Sequence, residues 1–315
     1  MADLYLAELI GETRAALFEG GRLVEMHIAR DGDGLAAGAR VQARLVKKLG
    51  TRGIAEADGQ ELLVQPWPAG ATEGATVTVE VVRAAWRETG RDRLAKARPT
   101  QLAPWPAPGL ESALAARGAR RLPGWPADVA GQWDDAFEAA QLGLLRFDTG
   151  SLLFEATPAF TAVDVDGHGI SLARPALAQL ARAIRLWGLG GSIVIDVPAA
   201  DKDERAAAAD GFDKAMGKLS FERTAINGFG LMQVVRPRIG PSILERARID
   251  RAGTQAVAIL AAALGDRATG PLLLRAPAAA EKWLSARPHL IAELAARTHR
   301  AVELTPDSGA EAGDA

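Results

Sequence analysis

Phe-Thr-Ala-Val-Asp-Val-Asp-Gly at residues 160–167 and Leu-Gly-Gly-Ser-Ile-Val-Ile-Asp at residues 189–196 decide how the rest of the chain is read. Asp164 and Asp196 each close a run of apolar, largely β-branched residues, the composition of a buried strand. Between them, residues 175–187 repeat Ala, Leu and Ile at helical spacing, so the segment reads strand–helix–strand. Two carboxylates delivered from neighbouring strands can hold a divalent cation. Strand-terminal aspartates also cap turns, and Asp166-Gly167 is a common turn dipeptide, so position alone leaves both readings open.

The 315 residues, 48% of them hydrophobic, suffice for two or three domains or for one large domain with attachments. Cysteine is absent, which excludes disulfides, thiolate catalysis and thiolate zinc sites and fits a reducing, cytoplasmic setting. The apolar run at 256–264 falls short of the roughly 18 to 20 residues of a membrane span, and the first residues lack a signal-peptide pattern. With 37 Lys and Arg against 39 Asp and Glu, bulk charge gives no reason to bind nucleic acid; a local basic face would be needed.

Strand-like runs at 13–18 and 22–30 flank Glu19-Gly20-Gly21, which is hairpin chemistry, and Val24, Met26 and Ile28 alternate with polar residues. Further runs at 41–48, 53–57, 61–65 and 75–83 suggest a small barrel of the oligonucleotide-binding (OB) kind or a β-sandwich. A basic edge at 86–98 leads into a proline-rich linker, and 110–143 predicts two short helices broken by Pro123, Gly124 and Pro126. Strands follow at 151–156, 160–165 and 192–197, then a solvated helix at 201–218 and a strand pair at 221–226 and 230–235 across Asn227-Gly228. Beyond Ser242 the pattern gives a helix, an alanine-rich helix at 255–264, a strand at 271–274, two short helices broken by Pro288 and a strand at 300–304. The expected fold is α/β of the α+β type: an N-terminal hairpin and OB-like module over 1–98, a linker with short helices over 99–145, and a mixed-sheet catalytic-type subdomain over 146–240. A C-terminal helical or small α/β part over 241–306 and a disordered tail from 307 to 315 complete it.

Several other residues invite chemistry. His168, two positions after Asp166, would complete a site for manganese, iron or zinc, although a loop histidine beside glycines is more often solvated. Gly188, Gly190 and Gly191 follow a helix and precede a strand, the wrong order for a phosphate loop, and read as a C-cap and turn. Arg83, Arg87, Arg91, Arg93, Lys96 and Arg98 form the best candidate for phosphate-backbone contact, with Trp86 placed to stack on a base; a solvated charged edge is the plainer reading. Arg236 and Arg238 follow an apolar strand expected beside the acidic pair and suit bidentate phosphate binding. The Asp-x-Asp-Gly order at 164–167 also resembles the nucleophile loop of haloacid-dehalogenase-type phosphatases, in which the first Asp becomes an aspartyl phosphate. Those enzymes usually carry Thr or Val where this chain has His168, and their later lysine and acidic motif are not found in the expected order.

Gly-Glu-Thr-Arg-Ala-Ala-Leu-Phe-Glu-Gly-Gly-Arg-Leu-Val-Glu from Gly11, Ala-Val-Asp-Val-Asp at 162–166, Leu-Gly-Gly-Ser-Ile-Val-Ile-Asp at 189–196 and Asn-Gly-Phe-Gly-Leu-Met-Gln-Val-Val-Arg-Pro-Arg at 227–238 together, and in this order, resemble the ribonuclease E/G family. The resemblance implies a magnesium-dependent endoribonuclease, with manganese as a substitute, that cuts single-stranded RNA in RNA processing. It makes Asp164 and Asp196 the metal ligands; beside it, the residues themselves read Asp166 as an orienting group or third ligand and Arg236, Arg238, Trp86, Arg93 and Lys96 as RNA contacts. The chain departs from the family where Asp166 replaces Asn, Ala199 replaces an acid and Gly228 replaces a basic residue. The segment that senses 5′-monophosphate ends is missing between the barrel and Ser151, so no 5′-end sensing is expected. Without cysteine, a zinc-linked oligomer is excluded. An RNA-binding protein that kept the scaffold and lost turnover is the competing expectation.

Overall fold

A computed structural model describes residues 2–88, 90–168, 172–198 and 201–307. The chain opens with three antiparallel strands, β1 (Asp3–Leu9), β2 (Glu12–Glu19) and β3 (Arg22–Arg30). Gly20 and Gly21 take φ of 58° and 77°, the left-handed pair that a type I′ hairpin needs, so the turn expected between β2 and β3 is present. A barrel then closes from β4 (Arg40–Leu49), β5 (Arg52–Ala57), β6 (Gln60–Val64), β7 (Thr76–Arg83) and, after a small hairpin of β8 (Trp86–Glu88) and β9 (Arg91–Arg93), β10 (Ala95–Pro99). Its order is β10-β6-β5-β4-β7, with β10 parallel to β6 and antiparallel to β7, the OB topology expected from the strand spacing. The barrel has its own core, built on Ala43, Leu45, Leu62, Val64, Val79 and Val81. The proline-rich linker runs along this barrel: Arg40 and Trp105 exchange backbone hydrogen bonds at 2.8 and 2.9 Å.

Helix α1 (Leu110–Ala115) and β11 (Arg120–Arg121), which adds to β1, lead into α2 (Ala127–Leu142). α2 is one helix of 16 residues rather than a short one, because Pro126 occupies its N-cap and the breakers all precede it. A meander of β12 (Leu144–Phe147), β13 (Gly150–Ala156) and β14 (Thr161–Gly167) follows, and α3 (Ala173–Leu186) carries the chain to β15 (Gly191–Asp196), parallel to β14. After α4 (Lys202–Met216), β16 (Glu222–Arg223) and β17 (Leu231–Arg236) finish a six-stranded sheet in the order β12-β13-β14-β15-β17-β16. α4 is not solvated all round: Ala208, Ala209, Phe212 and Met216 are buried, and α3 is the helix it packs on.

The layers explain the open sheet face. α3 buries Ala176, Leu177, Leu180 and Ile184, and the same core contains Phe18, Met26 and Ile28 of the hairpin and Leu152, Phe154, Val163, Ile193, Ile195, Met232 and Val234 of the large sheet. α3 is thus covered on both sides, and the large sheet has one dry face. Because side chains alternate along a strand, Leu153, Asp164, Asp166, Asp196, Leu231, Gln233 and Val235 point to the opposite face and are exposed.

The C-terminal part comprises α5 (Ile243–Arg248), α6 (Arg251–Leu264), β18 (Leu272–Ala276), α7 (Ala278–Ser285), α8 (Pro288–Thr298) and β19 (Val302–Pro306), with β18 and β19 parallel. α5 begins with a capping box between Ser242 and Glu245. A charged cluster joins this part to the N-terminal hairpin. Arg30 donates to Glu12 at 2.6 and 2.8 Å and to Asp250 at 2.6 Å, and Arg246 donates to Asp33 at 2.6 and 2.8 Å. Of the tail expected to be disordered, Asp307 donates its N–H to the Ala276 carbonyl, and residues 308–315 lie outside the described residues.

Candidate metal and RNA site

β14 and β15 set the acids side by side. Their parallel register aligns Thr161 with Ile193, Ala162 with Val194 and Val163 with Ile195. One step further along, Asp164 and Asp196 stand on adjacent strands, about 4.8 Å apart in backbone spacing and on the same exposed face. The neighbouring pairings put Leu153 beside Asp164 and Leu231 beside Asp196, so the row across four strands reads Leu153, Asp164, Asp196, Leu231. Both leucines are exposed, at 43% and 40%. Among the described residues neither acid has an ion-pair or hydrogen-bond partner. Adjacent like charges without a counter-ion suit a cation that keeps several waters and takes one or two carboxylates, as magnesium does.

Among the described residues no group of three or more His, Asp or Glu comes together. Asp166 sits two residues along β14 on the same face, roughly 6 to 7 Å beyond Asp164. His168 is exposed, with its N–H on the Thr149 carbonyl at 3.1 Å, and Ala199 lies outside the described residues. The stretch at 164–167 is strand, paired with β13 to its end, rather than the loop that an aspartyl-phosphate nucleophile requires.

The end of β15 is closed by the turn that precedes β17. Asn227 Oδ1 accepts from the N–H groups of Phe229 at 2.9 Å and Leu231 at 3.1 Å, and Val197 donates its N–H to the Gly230 carbonyl at 2.9 Å. Phe229, at the tip of this turn, is 90% exposed. The sequence shows it as an aromatic residue inside turn chemistry and within the 227–238 stretch, with no periodicity to single it out.

The expected arginine contacts are placed differently. β17 does neighbour β15, but the two run antiparallel, so Arg236 pairs with Gly191 while Leu231 pairs with Asp196. Arg236 is therefore five residues, about 16 to 17 Å, from the acidic end, and it donates to the carbonyls of Leu189 at 2.6 Å and Ser220 at 3.3 Å. Burial lowers its pKa. Arg238 is ion-paired to Glu245 and lies over the Trp86 ring at 4.2 Å, with Arg83 over the same ring at 4.5 Å. Burial pushes Arg238 down to about 10, against the pull of Glu88. Trp86 is only 8% exposed, so its ring is engaged by guanidinium groups and closed to a base.

The basic edge is largely neutralised. Arg91 and Arg93 both donate to Glu88, at 2.9 and 2.8 Å, Arg98 pairs with Glu80 at 2.8 Å, and Arg87 with Asp92 at 3.5 Å. Lys96 is half-buried in β10 and forms no ion pair among the described residues. The site brought together by the fold is thus the acidic pair with its apolar flanks.

This architecture, a closed five-stranded barrel beside a mixed sheet with two adjacent carboxylates on an open face, is that of an α/β protein with a candidate cation site. The chain is similar to a ribonuclease E/G-like protein of chloroplasts from Arabidopsis thaliana, with 31% identity over 110 residues. That match covers 30% of this chain and 11% of the relative's length. No protein-family profile matches the chain. Among the described residues no helix is long and apolar enough to cross a membrane.

Proposed function

We propose that this protein is a ribonuclease E/G-like endoribonuclease that cleaves single-stranded RNA in a magnesium-dependent reaction and acts in the cytoplasm. The observation that carries the proposal is the pairing of Asp164 with Asp196 on adjacent parallel strands, facing solvent and free of any cationic partner among the described residues. Magnesium bound there would polarise a phosphodiester and lower the pKa of a coordinated water. The two aspartates hold the cation, and the sheet fixes their separation because both side chains leave the same face of paired strands. The open face leaves room for a strand of RNA to cross the row, with Leu153 and Leu231 on either side. Asp166 is further along the same face, where it orients water or sugar rather than completing the first ligand set.

The test is cleavage of a single-stranded oligoribonucleotide by purified protein in magnesium, with Asp164→Asn and Asp196→Asn as controls. Magnesium-dependent cleavage that each substitution removes supports the proposal; RNA left intact by wild type at high enzyme concentration overturns it. A second reading, RNA binding without turnover, is favoured by the internal commitment of Arg236 and Arg238 and by the two-ligand acid set. It would show as binding that ignores magnesium.

A further inference from the structure

We infer that Phe229 is a substrate-binding residue that stacks on the nucleobase next to the phosphate held at Asp164 and Asp196, an inference that rests on the reading of this site as an RNA site. Among the large hydrophobic side chains described, Phe229 is the most exposed, at 90%. It is not a loose side chain on a loose loop. Asn227 Oδ1 accepts from the N–H groups on both sides of the Phe229–Gly230 step, Gly230 donates to the Asn227 carbonyl at 3.1 Å, and Asn227 donates to the Leu231 carbonyl at 3.0 Å. The turn fixes the backbone that presents the ring, and a fixed backbone loses little conformational freedom when a ligand arrives.

The turn also fixes what lies beside the ring. A Cβ on Gly230 would stand 3.4 Å from Asp196 Oδ1, so the backbone next to Phe229 faces the carboxylate across the space of one side-chain carbon. Phe229 Cα is one step of about 3.8 Å from that glycine. Leu231, paired with Asp196 and two residues from Phe229, adds exposed apolar surface beside the acids. A planar apolar partner is needed on one side and a cation-bridged anion on the other, and a nucleotide of single-stranded RNA supplies both. An anionic membrane surface would meet the two uncompensated acids first, which disfavours it. Stacking on a Phe tolerates any base, because every base has a π-face. The site therefore accepts RNA with little sequence preference at this position.

The experiment compares wild type, Phe229→Ala, Phe229→Trp and Phe229→Leu in the full chain, with cleavage kinetics and with quenching of 2-aminopurine placed along a single-stranded oligonucleotide. Quenching is also measured in an Asp164→Asn background, which separates stacking from cleavage. Phe229→Ala is expected to weaken KM and the quenched complex about 5- to 100-fold, with the melting temperature unchanged. Phe229→Trp is expected to restore both, and Phe229→Leu to restore them only in part. KM and quenching within twofold of wild type in Phe229→Ala, or a fall in kcat alone, would overturn the assignment. Loss of magnesium-dependent cleavage in wild type with quenching intact would instead remove the nuclease reading and leave the stacking contact standing.

Discussion

Gly230 closes directly on Val197. The Val197 N–H donates to the Gly230 carbonyl at 2.9 Å, and a Cβ at position 230 would stand 2.4 Å from the Val197 carbonyl oxygen. The glycine also has φ of +86°, in the left-handed region. Gly230→Ala is therefore expected to cost about 1–3 kcal/mol of stability and to lose activity, although it removes no chemical group. Gly228→Ala, where nothing lies within 4 Å of the added carbon, is the control expected to be neutral in urea unfolding and in cleavage.

Two bare carboxylates side by side repel. In the absence of divalent cation, Asp196→Asn is expected to stabilise the fold by about 0.2–1 kcal/mol. With magnesium added, wild type should gain stability by binding and the variant should not. Thermal unfolding of both proteins, with magnesium and with chelator, reads the crossing; a variant that gains as much from magnesium as wild type would argue against this ligand.

Arg30 is the buried link between the first hairpin and α6. Its side chain is 2% exposed, and it serves Glu12, which is 0% exposed, and Asp250 at once. Arg30→Met leaves Asp250 without its cation and Glu12 with Arg14 alone, at 2.7 Å, and should cost about 3 kcal/mol, the low end for a broken buried pair. The double variant Glu12→Gln, Arg30→Met should recover part of that loss, because the buried carboxylate that lost its Arg30 partner is then neutral. Urea midpoints of the two variants measure the difference.

Glu25 gives the fold an acid-sensitive contact. Burial pushes its carboxyl up, but the hydrogen bond from His27 at 3.2 Å and the Arg117 guanidinium outweigh this and hold it at about 2, against an ordinary 4.5. A depressed carboxyl contributes stability that is fully present above its unfolded pKa and lost as pH falls through the folded one. The contribution is about 3 kcal/mol above pH 4.5 and should disappear between there and pH 2. Glu25→Gln should be less stable than wild type at neutral pH and should show a flatter stability curve over this window.

The sequence made the strands legible where alternation was strong, as in Val24, Met26 and Ile28, and made Asp164 and Asp196 legible as acids ending apolar runs. The facing of the two acids was not legible, since it depends on the register set by the α3 crossover. Strand direction explains the misplacement of Arg236: adjacency to the strand carrying Asp196 held, but antiparallel pairing sent the arginine to the far end. Trp86 looked available because its basic neighbours suggested solvent, whereas its partners Arg83 and Arg238 come from other strands and loops. Pro123, Gly124 and Pro126 do separate two helices, α1 and α2, but the second runs to 16 residues because all three breakers lie before its first turn. Phe229 carries no periodic signal at all, and its meaning comes from what the turn places beside it.

The ion pair from Arg30 to Asp250 spans 220 positions of chain. On a ribosome the hairpin emerges early, and the barrel, which has its own core, can close soon after it. The carboxylate that anchors Arg30 from α6 is made much later, after both acids of the sheet have already been synthesised. A nascent chain can therefore hold a finished barrel while its first hairpin still lacks this clamp, so the hairpin should become protease-resistant later than the barrel during synthesis.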